Sequence, residues 1–370
     1  MTIGIEPYRQ EFISAVKCFN ARLDGGGAPA EFRFPQHHLP EWLPRRNGEP
    51  LYQEYFLALE NGAVRGGYIL KYQEFFVRGE LKNVAYYHLP LSEGIVNKAY
   101  ASVGAHMLRH ALKAQPLLFA LGMGGFDRPL PRMLKAMGWS MCAVPFYFQV
   151  NRPTRFLREV HALRNTAWRR CVLDLAALTG TGWLGLTVLQ VLHRQHPKAG
   201  TQVATVDEFT GWADDLVENC RKRYVMLARR DQKNLNLLYP RRSKFLRLRV
   251  SRAGKVLGWA VLLDTQMKDH RYFGNLRVGT IVDTLALPED ALPVISAASQ
   301  FLQQRGTDMV VSNQSHETWC AALKSAGFLR GPSNFIFAAS QALSGCLRPF
   351  ATNCTKIHFN RGDGDGPINL

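Results

Sequence analysis

Apolar and polar positions fall into short blocks along this chain, and the blocks come in nearly the same order twice. A strand is expected near residues 3–5. A helix follows over 11–20, where Phe12, Ala15, Val16 and Phe19 share one face. A Pro-rich loop over 35–50 precedes two alternating runs, 55–60 and 64–72. The dipeptide Asn61-Gly62 between them marks a hairpin turn. A strand over 84–91 leads to a helix over 103–113. A strand over 117–121 then leads through a Gly-rich turn to a helix over 130–137, and a strand over 144–150 closes this half.

The C-terminal half repeats most of the series. Runs 245–250 and 256–263 read as a hairpin over Ala253-Gly254. A strand over 280–287 precedes a helix over 292–304. A strand over 309–312 precedes a helix over 318–325, and a strand over 335–339 ends the half. Each half carries a Gly-aromatic pair after its last helix, Gly138-Trp139 and Gly327-Phe328. The series predicts an α/β (α+β) fold of two mixed sheets flanked by helices. The expected domains are 1–151 and 152–345, with 346–370 as a C-terminal tail. Residues 152–222 read as mostly helical and are assigned to the second domain. The uncharged stretch 175–192 is broken by Gly180, Gly182 and Gly185, so it reads as a buried helix pair and not as a membrane span.

Composition narrows the function classes. With 370 residues the chain has ample length for two cores without staples. Seven scattered cysteines and no C-x-x-C pair argue against a disulfide framework or zinc finger, and point to a reduced, cytoplasmic chain. The first residues lack the apolar block of a secretory signal. The net charge of +17 speaks for an anionic partner. Much of it lies in 221–255, which holds 13 basic residues and one acid, Asp231. That stretch suggests docking of an acidic acyl-carrier protein or tRNA, or simply a solvated face.

One loop carries chemistry. Residues 99–108, AYASVGAHML, follow a strand and open an amphipathic helix with small residues at the turn. Small residues admit phosphates close to the backbone, and the helix start offers free N–H groups and the positive end of the dipole. The loop and the element order together resemble the Gcn5-related N-acetyltransferase (GNAT) family. That family places R/Q-x-x-G-x-G/A at this point to bind the pyrophosphate of coenzyme A. Aligned on Gly104, Ala99 stands at the Arg/Gln position and Ser102 at the first Gly. The two-half arrangement is similar to N-myristoyltransferases and Fem-type transferases.

The resemblance implies an N-acyltransferase that moves an acyl group from acyl-CoA, or from an acyl-carrier protein, to a primary amine. No metal is implied. The donor would lie along Leu89, Leu91, Ser92, Ile95 and Val96, then against Ser102, Val103, Gly104 and Ala105. Glu93, Asp283 and His88 are the candidate bases. Asp283 draws notice because it interrupts an apolar strand. The position where many relatives carry a Tyr acid is Leu134 in one half and Leu323 in the other, so Tyr87 or Tyr100 would have to substitute. The second half has no phosphate loop; 288–294, PEDALPV, offers two acids instead. It is therefore assigned the acceptor or a scaffold role. A tRNA-dependent aminoacyl transferase and a non-catalytic protein that binds an anionic partner are the alternatives. His193 and His196 sit three apart but lack a visible third metal ligand. Gly122–Asp127 (GMGGFD) lacks the third glycine of a dinucleotide fingerprint.

Overall fold

A computed structural model describes residues 3–161 and 200–364. Two compact units emerge. The first comprises Met1–Cys142 with Ile336–Phe350, and the second Ala143–Phe335 with Ala351–Leu370.

The first unit is built on strands β1 (Gly4–Pro7), β2 (Tyr52–Glu60), β3 (Ala63–Val77), β4 (Glu80–Ser92), β5 (Leu118–Met123) and β6 (Ser140–Ala143), joined by β15 (Phe335–Ala339) from far along the chain. They lie in the order β1-β2-β3-β4-β5-β15-β6. The β2–β3 turn has Asn61 and Gly62 both at positive φ, the two-residue turn that suits the twist of a hairpin. A second such turn, Arg78-Gly79, joins β3 to β4. It lengthens both strands beyond the expected 64–72 and 84–91, because β3 stays largely buried as far as Val77, even through Lys71 and Gln73. Helix α1 (Ile13–Gly25) packs Val16, Phe19 and Leu23 against Leu57, Leu59, Ile69 and Leu91. Helices α2 (Val103–Ala114) and α3 (Pro129–Ala136) bring Met107, Leu108, Ala111 and Leu134 into a core with Tyr68, Leu70, Ala85, Tyr87 and Leu118.

The second unit orders its strands β14-β7-β13-β12-β11-β10-β8. These are β7 (Phe146–Val150), β8 (Thr201–Thr205), β10 (Leu246–Arg252), β11 (Lys255–Gln266), β12 (Arg277–Ala286), β13 (Met309–Asn313) and β14 (Leu329–Gly331). A short parallel pair, β9 (Met226–Ala228) with β16 (Ile357–His358), belongs to the same unit. The helix Ala291–Gln304 packs across β11 and β12, and Val150, Phe156, Leu276, Val278, Met309 and Val311 form a further cluster.

The division differs from the one expected at 151 and 345. Strand β7, read as the end of the first half, pairs with β13 in the second sheet, with Val310 opposite Gln149. Strand β15, read as the end of the second half, lies between β5 and β6 in the first. The halves exchange their closing strands. Periodicity could not show this, because each run is apolar enough to sit in either sheet. The 346–370 segment is no separate tail as far as Gly364: Ile357 pairs with Met226 and Phe359 is fully buried. Strand β8 falls within the stretch read as mostly helical, where helices Pro153–Glu159 and Gly211–Cys220 do form. The stretch 175–192 and the pair His193 and His196 lie outside the described residues.

Candidate acyl-donor site

In the first sheet, β4 and β5 run parallel but pair only at Ala85 with Leu118 and at Tyr86 with Phe119. Strand β4 continues to Ser92 and β5 to Met123 without further registered pairs. The reason lies on the other side of β4. Gly67 faces Leu91 but Ile69 faces His88, so β4 carries one extra residue there. Leu89 takes φ 45°, an uncommon value for a residue with a side chain. Such a bulge turns the strand away from its neighbour. A notch therefore opens between β4 and β5 over the segment expected to face a donor.

The notch runs into a tightly folded loop. Ser92 Oγ accepts from the Gly94 N–H at 3.1 Å, and Asn97 Oδ1 from the Ala99 N–H at 3.0 Å. Gly94 is required here: a Cβ on it would lie 2.6 Å from the Tyr100 carbonyl oxygen. Helix α2 then starts at Val103. Its preceding residue, Ser102, makes no side-chain cap, so the first-turn N–H groups stay available to an anion. Gly104 does not owe its place to crowding, since a Cβ there would meet only Met133 of α3, at 3.5 Å.

The nine expected donor contacts divide. Leu89, Ser92, Ile95, Ser102, Gly104 and Ala105 are at least partly exposed. Leu91 and Val103 are buried and offer a ligand backbone only; Val96, like Leu89, is partly buried and packs with the α1 core.

The candidate bases are placed differently from one another. Glu93 is buried, with Arg22 Nε at 3.1 Å and Arg65 Nη1 at 3.1 Å from Oε2. Arg65 also pairs with Glu60 and lies 4.3 Å above the Tyr100 ring. Glu93 thus ties α1, β3 and the loop together, and Tyr100 is engaged in the same cluster. Tyr87 lies in the core under α2, where burial raises its pKa well above the usual 10; that argues against a working acid. His88 is half-buried on the bulged part of β4. Its ring stacks on Tyr86 at 5.1 Å, and Tyr86 stacks on Phe119 and donates to the Leu121 carbonyl.

Asp283 belongs to the second unit's sheet and is enclosed there. Strand β12 repeats the pattern of β4: it carries one extra residue opposite β11 and pairs with β13 only as far as Ile281 with Ser312. Here the opening is filled by the chain itself. Asn360 bridges Gln314, and its Nδ2 donates to Asp283 Oδ1 at 2.8 Å. Arg230 Nε and the Tyr239 hydroxyl both donate to Asp283 Oδ2, at 2.8 and 2.7 Å. Arg230 Nη2 also donates to Asp363, at 2.6 Å. Burial opposes the charge of Arg230, yet the two carboxylates hold it protonated more firmly than an ordinary arginine. A Cβ on Gly362 would overlap the Tyr239 hydroxyl and Asp283. Sequence reading singled out Asp283, but nothing local marks Arg230, Tyr239, Asn360 and Asp363 as members of the same cluster.

Six of the thirteen cations of the basic stretch 221–255 pair with acids of their own unit. Arg221, Arg223, Arg229, Arg241 and Arg252 pair with Glu218, Glu289, Asp231, Asp207 and Asp290. Arg247 is buried, donating to the Tyr239 and Pro240 carbonyls. No helix among the described residues is long and apolar enough to cross a membrane.

No family model matches the chain, and neither does any curated protein. Solved structures do. A conserved protein of unknown function from Enterococcus faecalis V583, described as a probable N-acyltransferase, aligns with TM-score 0.50 at 11% identity, covering 94% of this chain and 74% of that one. Saccharomyces cerevisiae N-myristoyltransferase, solved with bound myristoyl-CoA and inhibitors, aligns with TM-score 0.51 at 10% identity, covering 91% and 79%. At such identities the likeness speaks for the fold, and with the two bulged, splayed sheets it identifies this chain as a tandem GNAT-like α/β fold.

Proposed function

We propose that this protein is an N-acyltransferase that binds an acyl thioester in the β4–β5 notch of its first unit and passes the acyl group to a primary amine. The observation that carries this reading is the asymmetry of the two sheets. Both have the bulge and the early end of the parallel ladder, but in the second Asn360 enters the opening and two acids, Glu289 and Asp290, precede the helix, whereas among the described residues the first has neither feature. The thioester arm of coenzyme A, or the same arm on a carrier protein, would pair with the β4 backbone around Leu89–Ser92. Its pyrophosphate or phosphate would lie at Ser102–Ala105.

The amine nitrogen attacks the thioester carbonyl. The C–S bond breaks as the C–N bond forms, and the amine proton must leave. Glu93 is held by Arg22 and Arg65, and Asp283 by Arg230, Tyr239 and Asn360; we assign the base to His88, partly exposed on the bulged segment of β4. It would accept the proton, which returns to the thiolate as the product departs. The free thiols of the described cysteines suit a reducing compartment, and we place the protein in the cytoplasm.

A thermal-shift titration with CoA, acetyl-CoA and a long-chain acyl-CoA tests the donor. Ligand at about 100 times its dissociation constant adds about 2.7 kcal/mol of stability. A rise in Tm with at least one of the three is expected, and its dependence on chain length names the acyl class. No rise with any of them overturns CoA as the donor.

A further inference from the structure

The stretch expected to supply a docking surface commits six of its thirteen cations to pairs within its unit, whereas another set forms none. Residues 97–136 of the first unit hold six, Lys98, Arg109, Lys113, Arg128, Arg132 and Lys135, against one acid, Asp127. All six are exposed, and none forms an ion pair among the described residues. They are ordered. Arg109 and Lys113 are four apart on α2, in line with the exposed His106 and Ser102; Arg128, Arg132 and Lys135 follow the same spacing along α3. Both helices cover the same face of the sheet, and Met133 of α3 lies beside the first turn of α2. Their outward stripes thus form one cationic face that begins at the notch.

The face is too long for a nucleotide alone. At 1.5 Å per residue, Arg109 lies about 9 Å and Lys113 about 15 Å along α2 from its first residue. A pyrophosphate at that first turn reaches neither. Next to the notch stand two exposed apolar side chains, Ile95 at the end of β4 and Phe126 in the loop after β5, 43% and 51% exposed. An apolar spot beside a charged rim is the anatomy of a protein interface. RNA would call for several stacking aromatics, and Phe126 is the only exposed aromatic of 93–143.

From this we infer that the α2–α3 face docks an acidic acyl-carrier protein, which delivers its thioester arm into the adjacent notch. The inference rests on the acyl-transfer reading and moves the partner's site from 221–255 to the first unit.

The test uses full-length protein and a fluorescently labelled acidic holo-acyl-carrier protein, with anisotropy read at low and moderate salt. Wild type should bind, and more weakly as salt rises. The triple variant Arg109→Glu, Lys113→Glu, Arg132→Glu should lose about tenfold or more in affinity. Calorimetry should find its acyl-CoA affinity within about twofold of wild type, since none of the three residues is among the expected donor contacts. The milder Arg109→Gln, Lys113→Gln, Arg132→Gln set, with unchanged circular dichroism, should fall between. Absence of carrier binding at low salt, equal binding by the variants, or an equal loss of acyl-CoA affinity overturns the docking site. Binding of an RNA oligonucleotide or anionic vesicles in place of the carrier does so too. Carrier binding without acyl transfer from either donor would leave the docking face standing and remove the acyl-transfer reading. Transfer from acyl-CoA without carrier binding would do the reverse.

Discussion

Three acids and bases that look alike in the sequence take up different work once folded. His88 keeps a partly open edge on the bulged segment of β4, whereas Glu93 and Asp283 are each gripped by arginine. Replacing His88 by Gln should therefore cut kcat by about 10²–10⁴, the span of general-base catalysis, and leave acyl-CoA affinity intact. An unchanged kcat in single-turnover assays would remove His88 from the chemistry. Replacing Arg230 by Met should cost about 3–5 kcal/mol in urea unfolding, because Asp283 and Asp363 then remain buried without their cation. A loss below 1 kcal/mol would mean the C-terminal segment is not held through this pair. Composition and spacing could mark Asp283 as unusual, since an acid in an apolar strand is either paired or functional. They could not say which, because its partners stand 53 and 77 residues away in the chain.

At the scale of elements, local signals were read well and edges poorly. The hairpins at Asn61-Gly62 and Ala253-Gly254 form as expected, both with positive φ at the two turn residues. The bulge in β4 left no trace in the pattern, because a single extra residue between Ile69 and Gly67 registers is invisible without the partner strand. The loop after it depends on Gly94. Gly94→Ala should displace the Tyr100 carbonyl and weaken acyl-CoA binding by about tenfold or more, measured by calorimetry, with the rest of the unit intact. The helix Glu317–Ser325 carries a pH-sensitive start. His316 Nδ1 accepts from the Thr318 N–H at 3.2 Å, which requires an unprotonated ring, and burial lowers its pKa to about 4. His358 is likewise pushed well below 6.5 by burial. Both are neutral when folded but gain protons near pH 6.5 when unfolded. Stability should thus fall as pH drops below about 6.5, by up to about 2.7 kcal/mol per pH unit for the two together. Denaturant midpoints between pH 7.5 and 5 test this. A profile as steep in His316→Asn, whose side chain can still cap, would assign the loss elsewhere.

At the scale of the molecule, the repeated order of blocks correctly announced two mixed sheets, and solved structures share this fold. The boundary between them was the part that sequence could not give, since β7 and β15 each satisfy the pattern of either sheet. This exchange bears on how the chain can be made. A nascent chain that has passed Cys142 has every strand of the order β1-β2-β3-β4-β5-β15-β6 but one, and the missing strand is interior, between β5 and β6. It emerges only after nearly 200 further residues, roughly 10–40 s of synthesis. During that interval the edge of β5 is bare, a surface that invites pairing with other chains. Cutting the gene after residue 142 would perpetuate that state, so such a fragment should aggregate, while co-expression with the remainder should restore soluble protein. For this protein a strand made nearly 200 residues later completes the first domain to begin.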